Sequence, residues 1–380
     1  MLFEFTSEQV AIQEKAKLYA TESLSNEAQA REDQHDIAPE IIKGLGDRGL
    51  LGVNISKAYG GSEAGVVSYA LAVREIAKGD PSVAVTMAVT NMVGEVLEAY
   101  GTEDQRQEYI PKLTSGEFFG GAFALSEPAA GSDAGALQTK AERNGDEWTI
   151  NGEKLWITTG DRAGVVVVWA RTGGSGAKGI SCFLVDGNAP GLSTGKPEEK
   201  MGLRASHTVS LSLSDVRVPA SAMLGQEGEG FKIAMMALDG GRIGISSQSL
   251  GMAFGAMDRA RDIMLEDKSV SSSQGVQFKL ADIGTECEAA WLLALRAAWL
   301  KESKQSFSRE AAMAKVYATE AANKATQTAL QIGSTSGYMN DPLLARYFRD
   351  CRVTRIYEGT SEVQRIVISR SLLRDAQSTR

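Results

Sequence analysis

The spacing of apolar and polar positions changes twice along the chain. Up to about residue 120, apolar residues recur with the period of a helix, and residues 68–78, 83–100 and 103–112 are predicted to be helices. Turn sequences such as Gly79-Asp80-Pro81 separate them. The first third of the chain therefore predicts a helical domain.

Beyond that point the period becomes that of a strand. Residues 147–160 alternate around Asn151-Gly152, a dipeptide that indicates a hairpin turn, and residues 207–218 alternate as well. Residues 165–170 and 180–185 are short runs rich in β-branched side chains. These patterns predict an antiparallel β domain.

From Gly230 onward the helical period returns. Residues 311–332 are rich in Ala and end at Gly333. One apolar stripe runs along the preceding predicted helix at Cys287, Trp291, Ala294 and Ala298. We therefore predict an α+β protein with three domains: an N-terminal α-helical domain (1–120), a middle antiparallel β-barrel or sandwich domain (121–229) and a C-terminal four-helix bundle (230–380).

Composition narrows the class of protein. The chain has 380 residues, 43% of them apolar, and a net charge of −8, which argues against a nucleic-acid-binding face. Residues 1–20 mix charged and apolar side chains, so we expect no signal peptide, and the apolar runs are too short for a membrane span. Three cysteines without paired spacing indicate a reducing compartment, and we expect a cytoplasmic protein. The two histidines lie far apart, which argues against a Ser-His-Asp hydrolase or a metal site.

The segment RIYEGTSEVQR, residues 355–365, contains the first candidate for chemistry. Glu358 is a single carboxylate beside Tyr357 and before a glycine that lets backbone approach a ligand, so it is a candidate general base. The same segment also fits a helix N-terminus, with Thr360 or Ser361 as the N-cap and Glu362 as a first-turn acid. Both interpretations stay open on these residues alone.

A second segment, GSGAKG at residues 174–179, matches the GxGxxG pattern of dinucleotide-binding loops. That pattern requires a strand before it and a helix after it, whereas residues 180–185 are predicted to be another strand. We therefore interpret it as a connecting loop.

Two stretches around the predicted β domain have side chains suited to binding a ligand. In residues 125–135, Ser126, Ser132 and backbone amides near two glycines are potential hydrogen-bond donors, although an ordinary interdomain loop has the same composition. Trp156 is suited to stack on a planar ring while Thr158 bonds the ring edge, although a Trp in a β core is the commoner use.

One further pair lies in the C-terminal part of the chain. Asp239 and Arg242 are spaced by one helical turn. They fit a polar binding site, and they equally fit a surface or capping ion pair of little energetic value.

Together these stretches resemble the acyl-CoA dehydrogenase family over essentially the whole chain. FALSEPAAGSD (123–133) is similar to the family's first flavin signature, WITTG (156–160) to the second, and RIYEGTSEVQR to its catalytic-base segment. ALDGGRIGISSQSLG (237–251) and the helical–β–helical order agree with the same family.

The resemblance implies a mechanism and a set of contacts. FAD would be held between the β domain and the bundle, and Glu358 would remove the pro-R α-proton of an acyl-CoA while the β-hydride passes to flavin N5, giving a trans-2-enoyl-CoA. The implied cofactor-binding residues are Phe123, Leu125, Ser126, Trp156, Ile157, Thr158, Gln274, Gln331, Thr360 and Glu362. The implied substrate-binding residues are Ser132, Asp239, Arg242 and Gly359. The family also implies electron-transferring flavoprotein as a partner and a homotetramer.

One position points to a branch of the family. Some members carry the base at the position matching Gly241, which has no side chain here, so Glu358 is the only candidate base. This favours a short- or medium-chain straight acyl-CoA over the isovaleryl or long-chain type.

Two segments depart from the family's pattern. The Arg, Phe and Gly that reach the diphosphate half of FAD are matched here by Ile263, Glu266 and Asp267, and two family glycines by Ser334 and Thr335. Extra carboxylates near a diphosphate are unfavourable. The departures predict weak FAD binding, other donors, or a partner subunit that completes the site. One alternative is therefore an acyl-CoA-binding subunit of a hetero-oligomer. The other is an oxidase, reductase or desulfinase of acyl-CoA on the same scaffold, because the choice of electron acceptor depends on solvent access to the reduced flavin.

Overall fold

The N-terminal third of the chain is helical, as predicted. The structure is a computed structural model that describes residues 4–333 and 341–378. Its first helices are α1 (Ser7–Tyr19), α2 (Ala28–Gln34), α3 (Pro39–Gly46), α4 (Gly65–Gly79), α5 (Pro81–Tyr100) and α6 (Glu103–Thr114). The helix starts follow the sequence signals. Thr6 and Thr102 each form a capping box with the Gln three residues on, and Asp80 accepts a hydrogen bond from Ser82 N at 2.9 Å at the start of α5.

The middle part of the chain is one eight-stranded sheet. Its strands are β1 (Gly121–Ala124), β2 (Lys140–Asn144), β3 (Glu147–Thr158), β4 (Val165–Arg171), β5 (Ile180–Asp186), β6 (Leu192–Thr194), β7 (Thr208–Pro219) and β8 (Met223–Leu224). The order is β6-β7-β3-β2-β4-β5-β8. Most pairs are antiparallel, but β1 pairs with β4 in parallel, as does β2 at Arg171, so the sheet is mixed. Residues 174–179 connect β4 to β5, in agreement with the loop interpretation.

The predicted hairpin turn at Asn151-Gly152 is wrong. Residues 147–158 form the single strand β3, and the turn lies earlier, at Gly145-Asp146 between β2 and β3. Asn151 and Gly152 instead form a bulge in the pairing with β7, where Asn151 Oδ1 accepts from Asp215 N at 2.7 Å. A Cβ on Gly152 would lie 2.5 Å from Thr139 Oγ1, so the glycine is needed for a close approach rather than for a turn.

The C-terminal part of the chain is a helical bundle. Its helices are α7 (Gly230–Glu266), α8 (Lys268–Ser271), α9 (Gln274–Glu302), α10 (Ser308–Ile332), α11 (Pro342–Cys351) and α12 (Ser361–Ser378). Helix α10 packs against α7, α9, α11 and α12, and its inner face is almost entirely Ala, which lets the backbones come close. The N-terminal helices α4 and α5 pack on α7. All three parts of the molecule therefore meet along α7.

All three cysteines are free and buried, one in β5, one in α9 and one at the end of α11. Burial raises the pKa of every one of these thiols, to about 12 for Cys287 and Cys351. Among the described helices, none is both long and apolar enough to cross a membrane.

Candidate active site

Glu358 lies in a sharply turned segment between α11 and α12. Its φ is 53° and that of Gly359 is 87°, so two consecutive residues adopt the left-handed conformation. For a residue with a Cβ this conformation costs about 1–2 kcal/mol, so it persists only where the surroundings hold it. Thr360 caps α12, since its Oγ1 accepts from Val363 N at 3.3 Å. The helix-cap interpretation is therefore correct for Thr360, while Glu358 itself lies outside the helix.

The two carbonyl groups of this turn are bound by buried side chains. Lys315 Nζ donates to Gly359 O at 2.7 Å. Gln364 Nε2 donates to Gly359 O at 2.9 Å and to Glu358 O at 3.2 Å. Within the described part of the chain, the N–H of Glu358 donates to no group. The turn thus directs its acceptors into the protein, and the Glu358 N–H has no acceptor among the described residues.

The carboxyl group of Glu358 points at α7. Its Oε2 is buried and has no hydrogen-bond partner among the described residues. A Cβ on Gly241 would lie 2.6 Å from this oxygen and 3.1 Å from Met92 Sδ, so the glycine makes room for the carboxyl group. Burial raises the pKa of Glu358 to about 7, with Lys315 and Arg242 acting in the opposite direction. Such a carboxyl group is suited to exchange a proton near neutral pH.

Asp239 and Arg242 form a buried pair one turn apart on α7. Arg242, 4% exposed, donates through Nη1 to Asp239 Oδ1, which also accepts from Ser308 Oγ at 3.0 Å. Arg242 Nε is buried and has no hydrogen-bond partner in the described part of the chain. Burial raises the pKa of Asp239 and lowers that of Arg242. The surface ion-pair interpretation is therefore wrong, because Arg242 is buried and the pair flanks Gly241 on α7.

On the β domain, Trp156 is held in an unusual position. It is 59% exposed and has a φ of 63°, at a shift in the register between β3 and β7. The alternative interpretation, a Trp in the β core, is therefore wrong. The side chain of Ile157 points the other way and is buried in the β core, whereas Thr158 is half-buried. An exposed indole on a strained backbone is suited to stack on a planar group.

Buried hydrogen bonds connect the loop after β1 to strand β3. Lys154 is fully buried, and its Nζ donates to Glu127 Oε1 at 2.8 Å and to Trp169 O at 2.7 Å. Glu127 also accepts from Gln138 N and Thr139 N, at 2.6 and 2.9 Å. These bonds fix the segment that contains Leu125 and Ser126 next to Trp156.

An apolar cluster joins the β domain to the Glu358 segment. Phe123 from β1 and Tyr357, the neighbour of Glu358, pack around the same residues of α5. The cluster comprises Val85, Val89, Leu203, Phe123, Val353 and Tyr357. Its position means that residues from the N-terminal, β and C-terminal parts line one site.

Comparison with known sequences assigns all three parts of the chain. Residues 6–117 match the family "Acyl-CoA dehydrogenase, N-terminal domain", residues 122–216 the middle domain and residues 228–373 the C-terminal domain. This chain belongs to the acyl-CoA dehydrogenase family.

Relatives in the acyl-CoA dehydrogenase family are similar over nearly their whole length. The short-chain specific acyl-CoA dehydrogenase of Bos taurus is 44% identical and covers 95% of this chain, which spans 89% of it. The acryloyl-CoA reductase (NADH) of Anaerotignum propionicum is 41% identical, covering 98% of this chain and 96% of its own length. The butyryl-CoA dehydrogenase structure from Megasphaera elsdenii is 39% identical with a TM-score of 0.96, covering 98% of this chain and 100% of its own. The predicted family and fold class are confirmed.

Several of the predicted binding residues are exposed and make no described contact with Glu358. Ser132 is exposed in the loop after β1, Gln274 is exposed as the first residue of α9, and Gln331 is exposed near the end of α10. Glu362 is exposed in the first turn of α12. The described residues provide no hydrogen bond from Ser132, Gln274 or Gln331 to the site, so their roles stay predictions.

The segment matched to the diphosphate half of FAD has local structural roles. Ile263 is buried in the helical core, Glu266 ends α7, and Asp267 Oδ1 caps α8 by accepting from Ser269 N at 2.8 Å. Ser334 and Thr335 lie outside the described residues.

Sequence reasoning missed Lys315 and Gln364, although both touch the Glu358 segment. A signal for Lys315 was present. Lys315 lies four residues after Ala311 and three before Ala318, which places it on the apolar face of an Ala-rich helix. Charged residues are rarely buried on such a face without a role.

Proposed function

We propose that this acyl-CoA dehydrogenase family member oxidises a short- or medium-chain acyl-CoA to the trans-2-enoyl-CoA, with Glu358 as the base that removes the pro-R α-proton. The observation that carries the proposal is the Glu358 carboxyl group, whose Oε2 is buried and unpartnered over Gly241. The described residues contain no second carboxylate at that position. A buried carboxyl group with a pKa of about 7 is a stronger base than an exposed one and is ionised in a useful fraction at neutral pH.

The α-proton beside a thioester becomes acidic only if the carbonyl oxygen is stabilised as charge develops on it. The N–H of Glu358 is available to donate, because it has no acceptor among the described residues. We infer that this N–H is one donor to the thioester oxygen. Arg242, with its unpartnered Nε, and Asp239 would contact the acyl-CoA from α7, as would Gly359 and Ser132.

The ring-binding half of an FAD site fits the residues present. Trp156 offers an exposed aromatic face, Thr158 a nearby hydroxyl, and Phe123 an apolar edge packed against the same cluster as Tyr357. Leu125, Ser126, the Ile157 backbone and Thr360 complete the set that we propose. FAD, when bound, supplies the acceptor at N5 for the β-hydride. Two solved relatives are a glutaryl-CoA dehydrogenase of Mycobacterium smegmatis in complex with FADH2 and PigA with FAD and proline.

The segment matched to the diphosphate half fits less well. Ile263 is buried, and Glu266 and Asp267 add negative charge where a diphosphate would need cations. We infer that other donors hold this half, with the side-chain amides of Gln274 and Gln331 among the residues carried over from the resemblance, whereas Glu362 is carried over as a flavin contact. An FAD-site-degenerate acyl-CoA-binding subunit is the alternative that this segment favours.

The assembly and partners follow the same proposal. Large apolar side chains are exposed on the C-terminal helices, namely Leu265, Phe278, Leu292, Ile366, Leu372 and Leu373. Such surfaces favour association between chains, and we propose a homotetramer on the family resemblance. A solved chain from work on the electron transferring flavoprotein of Acidaminococcus fermentans is 41% identical with a TM-score of 0.96, covering 98% of this chain and 100% of that chain. We propose electron-transferring flavoprotein as the electron acceptor and the cytoplasm as the location, where free thiols persist.

A reductase is the second candidate, because an acryloyl-CoA reductase (NADH) is 41% identical over 98% of this chain. The direction of the reaction separates the two. A dehydrogenase is expected to reduce its flavin with saturated acyl-CoA and to pass electrons on, whereas a reductase complex oxidises NADH with enoyl-CoA.

The deciding experiment is the visible absorption spectrum of the purified protein before and after butyryl-CoA is added without oxygen. Flavin bands that bleach with butyryl-CoA, and not in Glu358→Gln, are the expected result; that variant should lose about 10²–10⁴-fold in rate. Admission of oxygen then separates an oxidase, which reoxidises rapidly, from a dehydrogenase. Protein that stays colourless after incubation with FAD would contradict the proposal and favour the binding subunit.

A further inference from the structure

Lys315 is a buried cation without a counter-ion in direct contact. It is 0% exposed on α10, and among the described residues its Nζ makes no ion pair and one hydrogen bond, to Gly359 O at 2.7 Å. Burial lowers the pKa of Lys315 to about 8. An ammonium group without a partner is costly in the interior. An apolar residue would fill the same space at a lower cost in desolvation free energy, as Ala311, Ala314 and Ala318 do nearby on this helix.

Gln364 acts on the same turn from the other side. It is 0% exposed on α12, and its Nε2 reaches both Glu358 O and Gly359 O. A Cβ on Gly359 would lie 2.5 Å from this nitrogen, so the turn and the amide are in close contact. Together Lys315 and Gln364 make three hydrogen bonds to two consecutive carbonyl groups.

These bonds account for the left-handed pair at Glu358 and Gly359. Turning both carbonyl groups inward stabilises a backbone that a glutamate otherwise avoids. In the same turn the Glu358 N–H has no acceptor among residues 4–333 and 341–378, and the side chain lies over Gly241. The positions of the base and of its N–H donor are therefore set by one turn.

We propose that Lys315, with Gln364, is a positioning residue for the reaction: it clamps the carbonyl groups of the Glu358-Gly359 turn and supplies the positive field that keeps the base ionised. The proposal rests on the proposed function of Glu358 and deepens it.

The charged groups around Glu358 determine how much the pKa of Glu358 should change when Lys315 is replaced. Glu358 faces Lys315 from α10 and Arg242 from α7, and it also acts on Tyr69 of α4 and on the adjacent Tyr357. Lys315 in turn faces Glu358, Arg242, Glu320 and Glu362. Of the two cations near the base, Arg242 is already neutralised by Asp239. Loss of Lys315 should therefore raise the pKa of Glu358 more than loss of Arg242 would.

The test uses the holoenzyme with Lys315→Met, which keeps the length of the side chain and removes its charge. An opposite charge nearby shifts a carboxyl pKa by about one unit or more, so the acid limb of kcat/KM should move up by about one pH unit. Lys315→Arg should leave the limb in place. Lys324→Met is the matched control, because Lys324 lies on the same helix but is exposed and paired with Glu286.

A readout without turnover separates this proposal from the proposed function. The carboxyl carbon-13 resonance of Glu358, assigned by its absence in Glu358→Gln, should titrate at higher pH in Lys315→Met than in wild type. If wild type reduces no flavin with any acyl-CoA, the proposed function fails, yet this comparison still tests Lys315. An unshifted resonance and an unshifted acid limb in folded Lys315→Met would overturn the proposal.

Gln364→Leu tests the clamp even if Lys315→Met does not fold. It removes the amide donors and keeps the cation, so kcat should fall about tenfold or more through misplacement of the base, while KM and the acid limb stay as in wild type. A kcat within twofold of wild type in Gln364→Leu would remove the positioning role.

Discussion

Gly241 of α7 lies against the carboxyl group of Glu358, since a Cβ at position 241 would be 2.6 Å from Oε2. A helix interior otherwise favours Ala over Gly by about 0.5–1 kcal/mol. The presence of glycine at this point of a 37-residue helix therefore reflects the space that the carboxyl group needs.

Gly241→Ala should accordingly separate stability from activity. The added methyl group meets Glu358 Oε2 and Met92 Sδ, and displacing the base by a fraction of an ångström should lower kcat by about tenfold or more. The free energy of unfolding should change by less than about 1 kcal/mol. Turnover and urea unfolding measure the two effects. Gly275→Ala is the control, because nothing lies within 4 Å of its Cβ position; equal kcat in both variants would contradict the prediction.

The raised pKa of Glu358 predicts a pH-dependent cost of folding. A carboxyl group whose pKa is about 7 when folded and 4.5 when unfolded binds its proton more tightly in the folded protein. Its stabilising contribution is therefore complete below pH 4.5 and is lost as pH rises through about 7.

Glu358→Gln should therefore be more stable than wild type at pH 8, by about 1–3 kcal/mol, and should lose that advantage towards pH 5. Urea unfolding at the two pH values measures the difference. Glu362→Gln, an exposed carboxylate four residues on, serves as the control. A Glu358→Gln advantage that did not depend on pH would mean that the carboxyl group is not the source of the cost.

We predict that Trp156 lowers the stability of the fold and strengthens the binding of FAD. It is 59% exposed and strained at a φ of 63°, so Trp156→Gly relieves about 1 kcal/mol of backbone strain and removes little core packing. Binding of FAD should weaken, because the stacking surface is gone.

Lys304→Gly provides the comparison for Trp156→Gly. Lys304 also has a positive φ, 55°, but it is exposed just after α9. This variant should gain stability without any loss of FAD affinity, as measured by thermal unfolding and flavin titration. A loss of affinity in both variants, or in neither, would argue against a direct role of Trp156.

The buried pair of Lys154 and Glu127 should behave as a unit. Lys154→Met leaves the carboxylate of Glu127 buried among N–H donors but without its cation, and loss of one partner of a buried pair costs about 3–5 kcal/mol. The double variant Lys154→Met with Glu127→Gln should recover part of this loss, because no charge is left unpaired. Chemical unfolding of the set gives the coupling energy; strictly additive effects would show that the two residues do not act together.

The sequence predicted the elements more reliably than their detailed geometry. Helical and alternating periods identified the three regions, because each period reflects which face is buried. The Asn151-Gly152 dipeptide misled, since a glycine needed for close approach to Thr139 looks the same in sequence as a glycine needed for a turn.

The site was predictable only where one residue identifies its own role. Glu358, Trp156 and Arg242 stand in motifs, but the clamp of Lys315 and Gln364 depends on contacts between residues 44 and 5 positions apart. Ile263 shows that a match along the chain can also suggest a role that the structure does not support. Counting along the chain matched it to a cation position, whereas its side chain is buried among apolar residues of the bundle.

The three buried thiols can serve as probes of local opening in different parts of the fold. With one thiol in the sheet and two in the C-terminal helices, none is open to a reagent in the folded protein. Alkylation of each cysteine is therefore limited by local opening of the element that contains it. Because Cys182 lies in β5 and Cys287 in α9, their relative labelling rates would tell whether the sheet and the bundle open together or one before the other.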